Sequence, residues 1–228
     1  MTQKLSALLE QPLQGLLFDL DGTLLDSVPD LAVAVDTMLA AAALPLAGEQ
    51  RVRTWVGNGA KVLVQKALAY AHDTDVLDKS ELLHYQQQFL RFYRECSGQH
   101  SALYPDVLAA LQHWQRQGLA MAVVTNKPAE FIPHLLQQFQ LQEFFSSCVG
   151  GDSLAQRKPH PAPLRHACQA LGLAASRCVM IGDSSVDVAA ARAAGMPVAC
   201  VSYGYNQGQP ISAANPDIVV DSLLALCD

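Results

Sequence analysis

The chain has 228 residues, 50% of them hydrophobic and 16% charged, which describes a globular protein able to bury a sizeable core and rules out disorder for most of its length. Lys and Arg number 15 against 21 Asp and Glu, a net charge of −6 with no recurring basic block. A nucleic-acid surface, which needs clustered cations, is therefore not expected. Apolar stretches such as Leu39–Leu44 and Leu119–Val124 fall far short of the roughly 18 residues of a membrane span.

Met1 to Gln14 carries Lys4, Glu10 and several Gln, without the uninterrupted apolar region of a signal peptide, so a cytoplasmic protein is expected. Gly15 to Asp19 is then a short apolar run ending in a carboxylate, which reads as a strand. From about Val28 to Ser97 the texture changes to helix only. Leu31, Val35, Met38, Leu39 and Ala42 mark one helical face, and Leu82, Tyr85, Phe89, Phe92 and Cys96 mark another. Between them lie Glu49–Trp55 and Ala60–Tyr70, separated by Gly57-Asn58-Gly59. Strand and helix then alternate. Pro105 and Asp106 open a helix that Gly118 closes, Leu119 to Thr125 is a strand, and Ser147–Gly150 and Cys178–Ile181 are two more. Gly195 closes an Ala-rich helix over Val186–Ala194, and Val198–Val201 and Ile218–Val220 complete the set.

Strands joined by helices pair in parallel through right-handed crossovers. The expected fold is therefore α/β, a Rossmann-like open parallel sheet built from residues 1–27 and 98–228, with an all-helical module over 28–97 inserted after the first strand. The six cysteines stand singly, with no Cys-x-x-Cys, and read as small buried hydrophobes rather than disulfides or zinc ligands.

Ligands of such a sheet bind beyond the carboxyl ends of its strands. Asp19 and Asp21 follow the first strand, Thr125 ends the Leu119 strand, Lys158 lies in the loop after Ser147–Gly150, and Asp183 and Asp187 follow Cys178–Ile181. Carboxylates gathered at one rim repel, so they must share a proton or bind a hard cation, and an oxygen-only set suits Mg²⁺. If the backbone is extended, Asp19 and Asp21 face the same side. Phosphoryl transfer meets all these demands. Asp19, with a carboxyl that ordinarily titrates near 4, would be the nucleophile and Asp21 the acid and base. Lys158, Thr125 and the loop N–H groups of Leu20, Asp21 and Asn126 would hold the phosphoryl oxygens.

These residues carry a resemblance. Asp19-Leu20-Asp21-Gly22-Thr23, Thr125, Lys158 and Gly182-Asp183 with Asp187 resemble, in order, the four motifs of the haloacid dehalogenase superfamily, and the helical insertion resembles its mobile cap. Trp55-Val56-Gly57-Asn58-Gly59, Val124-Thr125-Asn126-Lys127-Pro128, Gly151-Asp152-Ser153, Lys158-Pro159-His160-Pro161 and Tyr203-Gly204-Tyr205-Asn206 are similar to the bacterial phosphoglycolate phosphatase family, over nearly the whole chain. The resemblance implies a Mg²⁺-dependent phosphatase acting on a small phosphorylated metabolite, 2-phosphoglycolate, as monomer or homodimer. It implies that Asp19 is nucleophile and metal ligand, that the Asp21 carbonyl touches the metal, that Asp183 is the third ligand, and that Asp187 supports the metal or orients Lys158. Ser185-Val186 departs from the Arg-Asn frequent in relatives at that place.

The substrate's anionic tail is expected to meet the N–H groups of Gly57-Asn58-Gly59 at the start of the following helix. A helical-module cation could read it as well: Lys61 is the first candidate, beside Arg51, Arg53 and Lys66. Three other readings compete. They are a phosphatase for other small sugar phosphates, a mutase of the β-phosphoglucomutase kind, and a non-enzymatic phospho-acceptor module of the receiver type. The last lacks a second Asp two residues after the acceptor and needs no helical insertion.

Overall fold

The computed structural model describes residues 2–74, 76 and 78–228. In chain order it contains α1 (Gln3–Ser6), β1 (Gly15–Phe18), β2 (Leu25–Asp26), α2 (Val28–Ala41), α3 (Glu49–Arg53), α4 (Ala60–His72) and α5 (Lys79–Cys96). There follow β3 (Ala102–Leu103), α6 (Val107–Arg116), β4 (Ala120–Val124), α7 (Ile132–Gln138), β5 (Ser147–Val149), α8 (Ala162–Ala170), β6 (Cys178–Gly182), α9 (Ser185–Ala194), β7 (Val198–Val201) and β8 (Ile218–Val220).

Six of the strands form one sheet in the order β5-β4-β1-β6-β7-β8, every pairing parallel. The α/β parallel-sheet expectation holds. β1, β6 and β7 are buried at every position, as strands covered on both faces must be. Alternate side chains feed opposite layers. Leu16 and Phe18 join Trp114, Met121, Val123, Val179 and Ile181 in a core continuous with the helical insertion. Leu17 turns the other way, to Ala122, Val124, Leu164, Met180 and Ala190 under α8 and α9.

Helices α2 to α5 lie between β2 and β3 in the chain, and α2 packs on α3, α4 and α5. Their apolar faces supply Leu31, Val35, Met38, Leu63, Val64, Leu82, Phe89 and Tyr93 to the core. The two crossings between sheet and insertion are tied together in two ways that the sequence did not suggest. β2 and β3 pair antiparallel, Leu25 with Leu103 and Asp26 with Ala102. Fully buried Asp30, in the first turn of α2, accepts the N–H groups of Gly98, His100 and Ser101 at 2.8, 2.7 and 3.1 Å, and the Ser101 hydroxyl. One cysteine corrects the sequence reading: Cys148 is exposed on the edge strand β5, whereas the other five are buried.

Candidate active site

Asp19 leaves the sheet at the end of β1, its N–H still donating to the Ile181 carbonyl at 2.9 Å. The chain then bends at Leu20. The N–H groups of Thr23, Leu24 and Leu25 all reach the Leu20 carbonyl, at 3.4, 3.0 and 3.0 Å, so Asp21 sits in a tight loop rather than on extended backbone. The two-residue alternation expected to align Asp19 with Asp21 is therefore corrected: the loop turns their side chains to different partners. Gly22, at φ 90°, completes the turn where a β-carbon would collide with the Asp183 carboxylate.

On the sheet side, Lys158 is the centre. Its Nζ donates to Asp187 Oδ1 and the Val124 carbonyl, both at 2.6 Å, and lies 3.0 Å from Asp19 Oδ1. Asp19 Oδ1 also accepts the Leu20 N–H at 2.8 Å, while Oδ2 accepts no hydrogen bond from the described residues. Asp187 Oδ2 takes the N–H groups of Asp183 and Ser184 at 3.3 and 3.1 Å and the Ser184 hydroxyl at 2.7 Å. Asp187 thus caps α9 and pairs with Lys158 at once. Asp183 accepts from Thr23 Oγ1 at 2.9 Å and from the Tyr205 N–H at 2.7 Å.

Oxygens of Asp19, Asp183 and Asp187 lie within 4.8 Å of one another, and all three residues are buried. One ammonium faces three carboxylates. Burial, opposed by Lys158, pushes the Asp19 carboxyl up to about 6, which corrects the ordinary value assumed from sequence. Burial, with Asp187 and Asp19 nearby, raises Asp183 well above the carboxylate range. Lys158 resists burial and stays above its usual value because Asp187 and Asp19 surround it. Excess buried negative charge on oxygen-only donors is relieved by protons or by a hard divalent cation, so the residues fit such an ion. The Asp21 side chain stands outside this group, and that of Asp187 stands in it, with both its oxygens already engaged.

On the side of the insertion, Asp21 Oδ1 accepts from Ser27 Oγ at 2.6 Å and both its oxygens accept from Lys127 Nζ, at 2.9 and 3.0 Å. Lys127 is 4% exposed and lies 4.8 Å from the ring centre of Tyr93 on α5. Burial works against its charge, but Asp21 holds the ammonium above its ordinary value. Thr125 Oγ1 accepts the Lys127 N–H at 3.2 Å. Asn126 Nδ2 donates to the Lys158 carbonyl at 3.0 Å and to the Gly57 carbonyl of the insertion at 3.1 Å. The backbone N–H groups of Asp21 and Asn126 donate to no acceptor among the described residues.

A cleft opens between sheet and insertion, bounded by Asp19, Asp21, Thr125, Asn126 and Lys127 below and by Gly57, Gly59, Leu63, Phe89 and Tyr93 above. Asn58 does not line it, and neither does Lys61, which is exposed. The other expected cations are absent from it too. Arg51 donates to the Ala47 carbonyl at 2.7 Å, Arg53 pairs with Asp26 at 3.2 Å and with Glu49 at 2.8 Å, and Lys66 is half-buried elsewhere on α4. Among the described lining residues, Lys127 is the only cation.

A profile of haloacid dehalogenase-like hydrolases matches residues 13–195. The chain belongs to that hydrolase family. It is 47% identical over 211 residues to the phosphoglycolate phosphatase of Pseudomonas syringae pv. tomato, covering 92% of this chain and 77% of that one. It is 43% identical over 223 residues to the phosphoglycolate phosphatase of Nitrosococcus oceani, covering 96% of each. Among solved structures, a protein from Haemophilus somnus described as a predicted phosphoglycolate phosphatase superposes with a TM-score of 0.88 at 39% identity, over 94% of this chain and 96% of that one. The expected superfamily is thereby established, and its hydrolase fold is the one described above.

Four residues of this hydrolase's site carried no individual role in the sequence reading. Lys127 follows Thr125 by two residues at the same strand end, where position alone was a signal. Tyr93 stands four residues after Phe89 and takes the place on the α5 face that the sequence reading gave to Phe92, which is half-buried. Ser27 and Tyr205 have no motif signature of their own. Yet the Tyr205 hydroxyl joins Asp26 at 2.6 Å and the Ser27 N–H at 2.9 Å, while its N–H holds Asp183.

Proposed function

We propose that this hydrolase cleaves 2-phosphoglycolate to glycolate and phosphate, with Mg²⁺ as its divalent ion and helices α2 to α5 as a cap over the site. It is a phosphoric monoester hydrolase, and the phosphoglycolate phosphatase relatives, alike over nearly the whole chain, support the substrate. The observation that carries the reading is the buried group of Asp19, Asp183 and Asp187 around Lys158, beside a cleft lined by Asp19, Asp21 and Thr125.

In this reading Asp19 Oδ2, the oxygen left without a partner, attacks phosphorus in line with the ester oxygen, whose bond to phosphorus breaks. Asp21 gives a proton to the departing glycolate oxygen, then takes one from the water that cleaves the aspartyl-phosphate and returns Asp19. Lys158 Nζ and the Thr125 hydroxyl hold phosphoryl oxygens, joined by the free N–H groups of Asp21 and Asn126. The Leu20 N–H, engaged by Asp19, keeps the nucleophile oriented. Asp187 fixes Lys158. Asp19, Asp183 and the Asp21 carbonyl would hold the metal, which when bound neutralises charge on the phosphoryl group. Gly57 and Gly59 border the leaving-group side, and Leu63, Phe89 and Tyr93 exclude water.

Phosphate release from 2-phosphoglycolate, measured with Mg²⁺ and with EDTA beside glucose phosphates, tests the proposal. A strong Mg²⁺-dependent preference for phosphoglycolate is expected. Turnover spread across sugar phosphates would set the substrate aside, and no release from any monoester would overturn the reaction.

A further inference from the structure

We propose that Lys127, assisted by Tyr93, is the residue that reads the carboxylate of the leaving group and so determines the substrate. The inference rests on phosphoglycolate being the substrate and assigns its specificity to two residues, one from the sheet domain and one from the insertion.

The leaving group is short: one carbon separates the ester oxygen from the carboxylate. Whatever stands next to the group that meets the ester oxygen must therefore meet the carboxylate. Asp21 is that group in the reaction above, and its neighbour is Lys127 Nζ at 2.9 and 3.0 Å. A buried substrate carboxylate needs a cation to receive it, and Lys127 stands at that place. An ammonium offers three donors. Those of Lys127 reach the two oxygens of Asp21, and the Tyr93 side chain stands beside it with its ring centre 4.8 Å away.

Tyr93 supplies the second observation. The residue is 1% exposed and lines the same cleft, and its hydroxyl, beside the Lys127 ammonium and the Ser97 hydroxyl, makes no hydrogen bond of normal geometry among the described residues. A buried, unpaired phenol costs about 1–3 kcal/mol unless something fills its hydrogen bond. A carboxylate received by Lys127 would do so. Among the described lining residues there is no other cation: Arg51 and Arg53 are committed to Ala47, Asp26 and Glu49, Lys61 is exposed, and Arg157, whose Nη1 stands beside Gly59, lies outside the lining.

The plain alternative is that Lys127 only balances Asp21, and it makes a different kinetic statement. The probes are 2-phosphoglycolate and ethyl phosphate, which differ by a carboxylate in place of a methyl group. Removing the ammonium in Lys127→Met is expected to lower kcat/KM for phosphoglycolate about 100-fold more than for ethyl phosphate, mostly through KM, with Lys127→Arg recovering part of the difference. Tyr93→Phe is expected to lower the same ratio about tenfold. Equal losses on both substrates in Lys127→Met would overturn the inference and leave the proposed function standing. A wild-type enzyme with no preference for phosphoglycolate over ethyl phosphate would overturn the function, and this inference with it. If Lys127→Met does not fold, Lys127→Arg and Tyr93→Phe decide: an unchanged ratio in both overturns the assignment.

Discussion

Lys158 and Lys127 are both buried and each is paired with one aspartate of the Asp19-Leu20-Asp21 loop, but their surroundings differ. Lys158 is held by Asp187, Asp19 and the Val124 carbonyl, all belonging to the sheet domain. None of these partners of its ammonium belongs to the insertion. Lys127 is held by Asp21 from below and faced by Tyr93 from α5 above, so its surroundings come from both sheet and insertion. The contrast separates two tasks within a few ångströms. A charge held within the sheet side suits the transferring phosphoryl group of the proposed reaction, and a charge between sheet and insertion suits recognition of its leaving group.

The largest effect expected falls on the fixed side. Asp19→Asn removes the nucleophile while keeping its shape, and phosphate release should fall by at least about 10⁴-fold; residual activity within tenfold of wild type would mean that another group attacks. Next comes Lys158→Met, which leaves Asp19 and Asp187 buried without a cation. Stability should drop by about 3–5 kcal/mol in urea unfolding. Lys127→Met leaves one carboxylate, still bonded to Ser27, and should cost less. Equal losses in the two variants would erase the distinction drawn between the sites.

Metal binding probes the same side less drastically. In the metal-free chain the Asp19 carboxyl, pushed up to about 6, and Asp183, also raised by burial, hold protons that the unfolded chain releases near its ordinary value of 3.8. The native state then binds more protons than the unfolded state, so stability should decline as pH rises from about 4 through 6. A divalent ion removes that penalty where the carboxyls are ionised and competes with protons where they are not. Addition of Mg²⁺ should therefore raise Tm markedly at pH 7.5 and little at pH 5. An equal rise at both would place the ion elsewhere.

The sheet was readable because its strands announce themselves. Gly15–Phe18, Ala120–Val124 and Cys178–Gly182 are continuous apolar runs, as strands covered on both faces must be, and Gly195 closes α9 as expected, in the left-handed conformation. Residues at the strand ends, Asp19, Thr125 and Asp183, could be named for the same reason, since topology assigns that edge before any side chain is placed. What stayed hidden depends on contacts between distant segments. Nothing local says that Tyr93 meets Lys127, that Asp30 gathers the Gly98–Ser101 crossing, or that Arg53 turns to Asp26 instead of the cleft. The pairing of Leu25 with Leu103 is equally silent, because two-residue strands have no periodicity.

The smallest effect expected is at the junction itself. Asn126 donates from one nitrogen to the Gly57 carbonyl on the insertion and the Lys158 carbonyl on the sheet side, while its own carbonyl oxygen is buried with no partner. Asn126→Ala loses two hydrogen bonds, each worth about 1 kcal/mol, but also removes an unsatisfied oxygen of similar cost. These terms nearly offset, so global stability should change by less than about 1 kcal/mol. Catalysis does not share that cancellation, because the bond to Gly57 bridges the two sides of the cleft. KM for phosphoglycolate should rise several-fold while Tm stays near wild type. A variant that lost stability and kept KM would make Asn126 a brace for the Lys158 loop and leave closure to the apolar contacts of Tyr93 and Phe89.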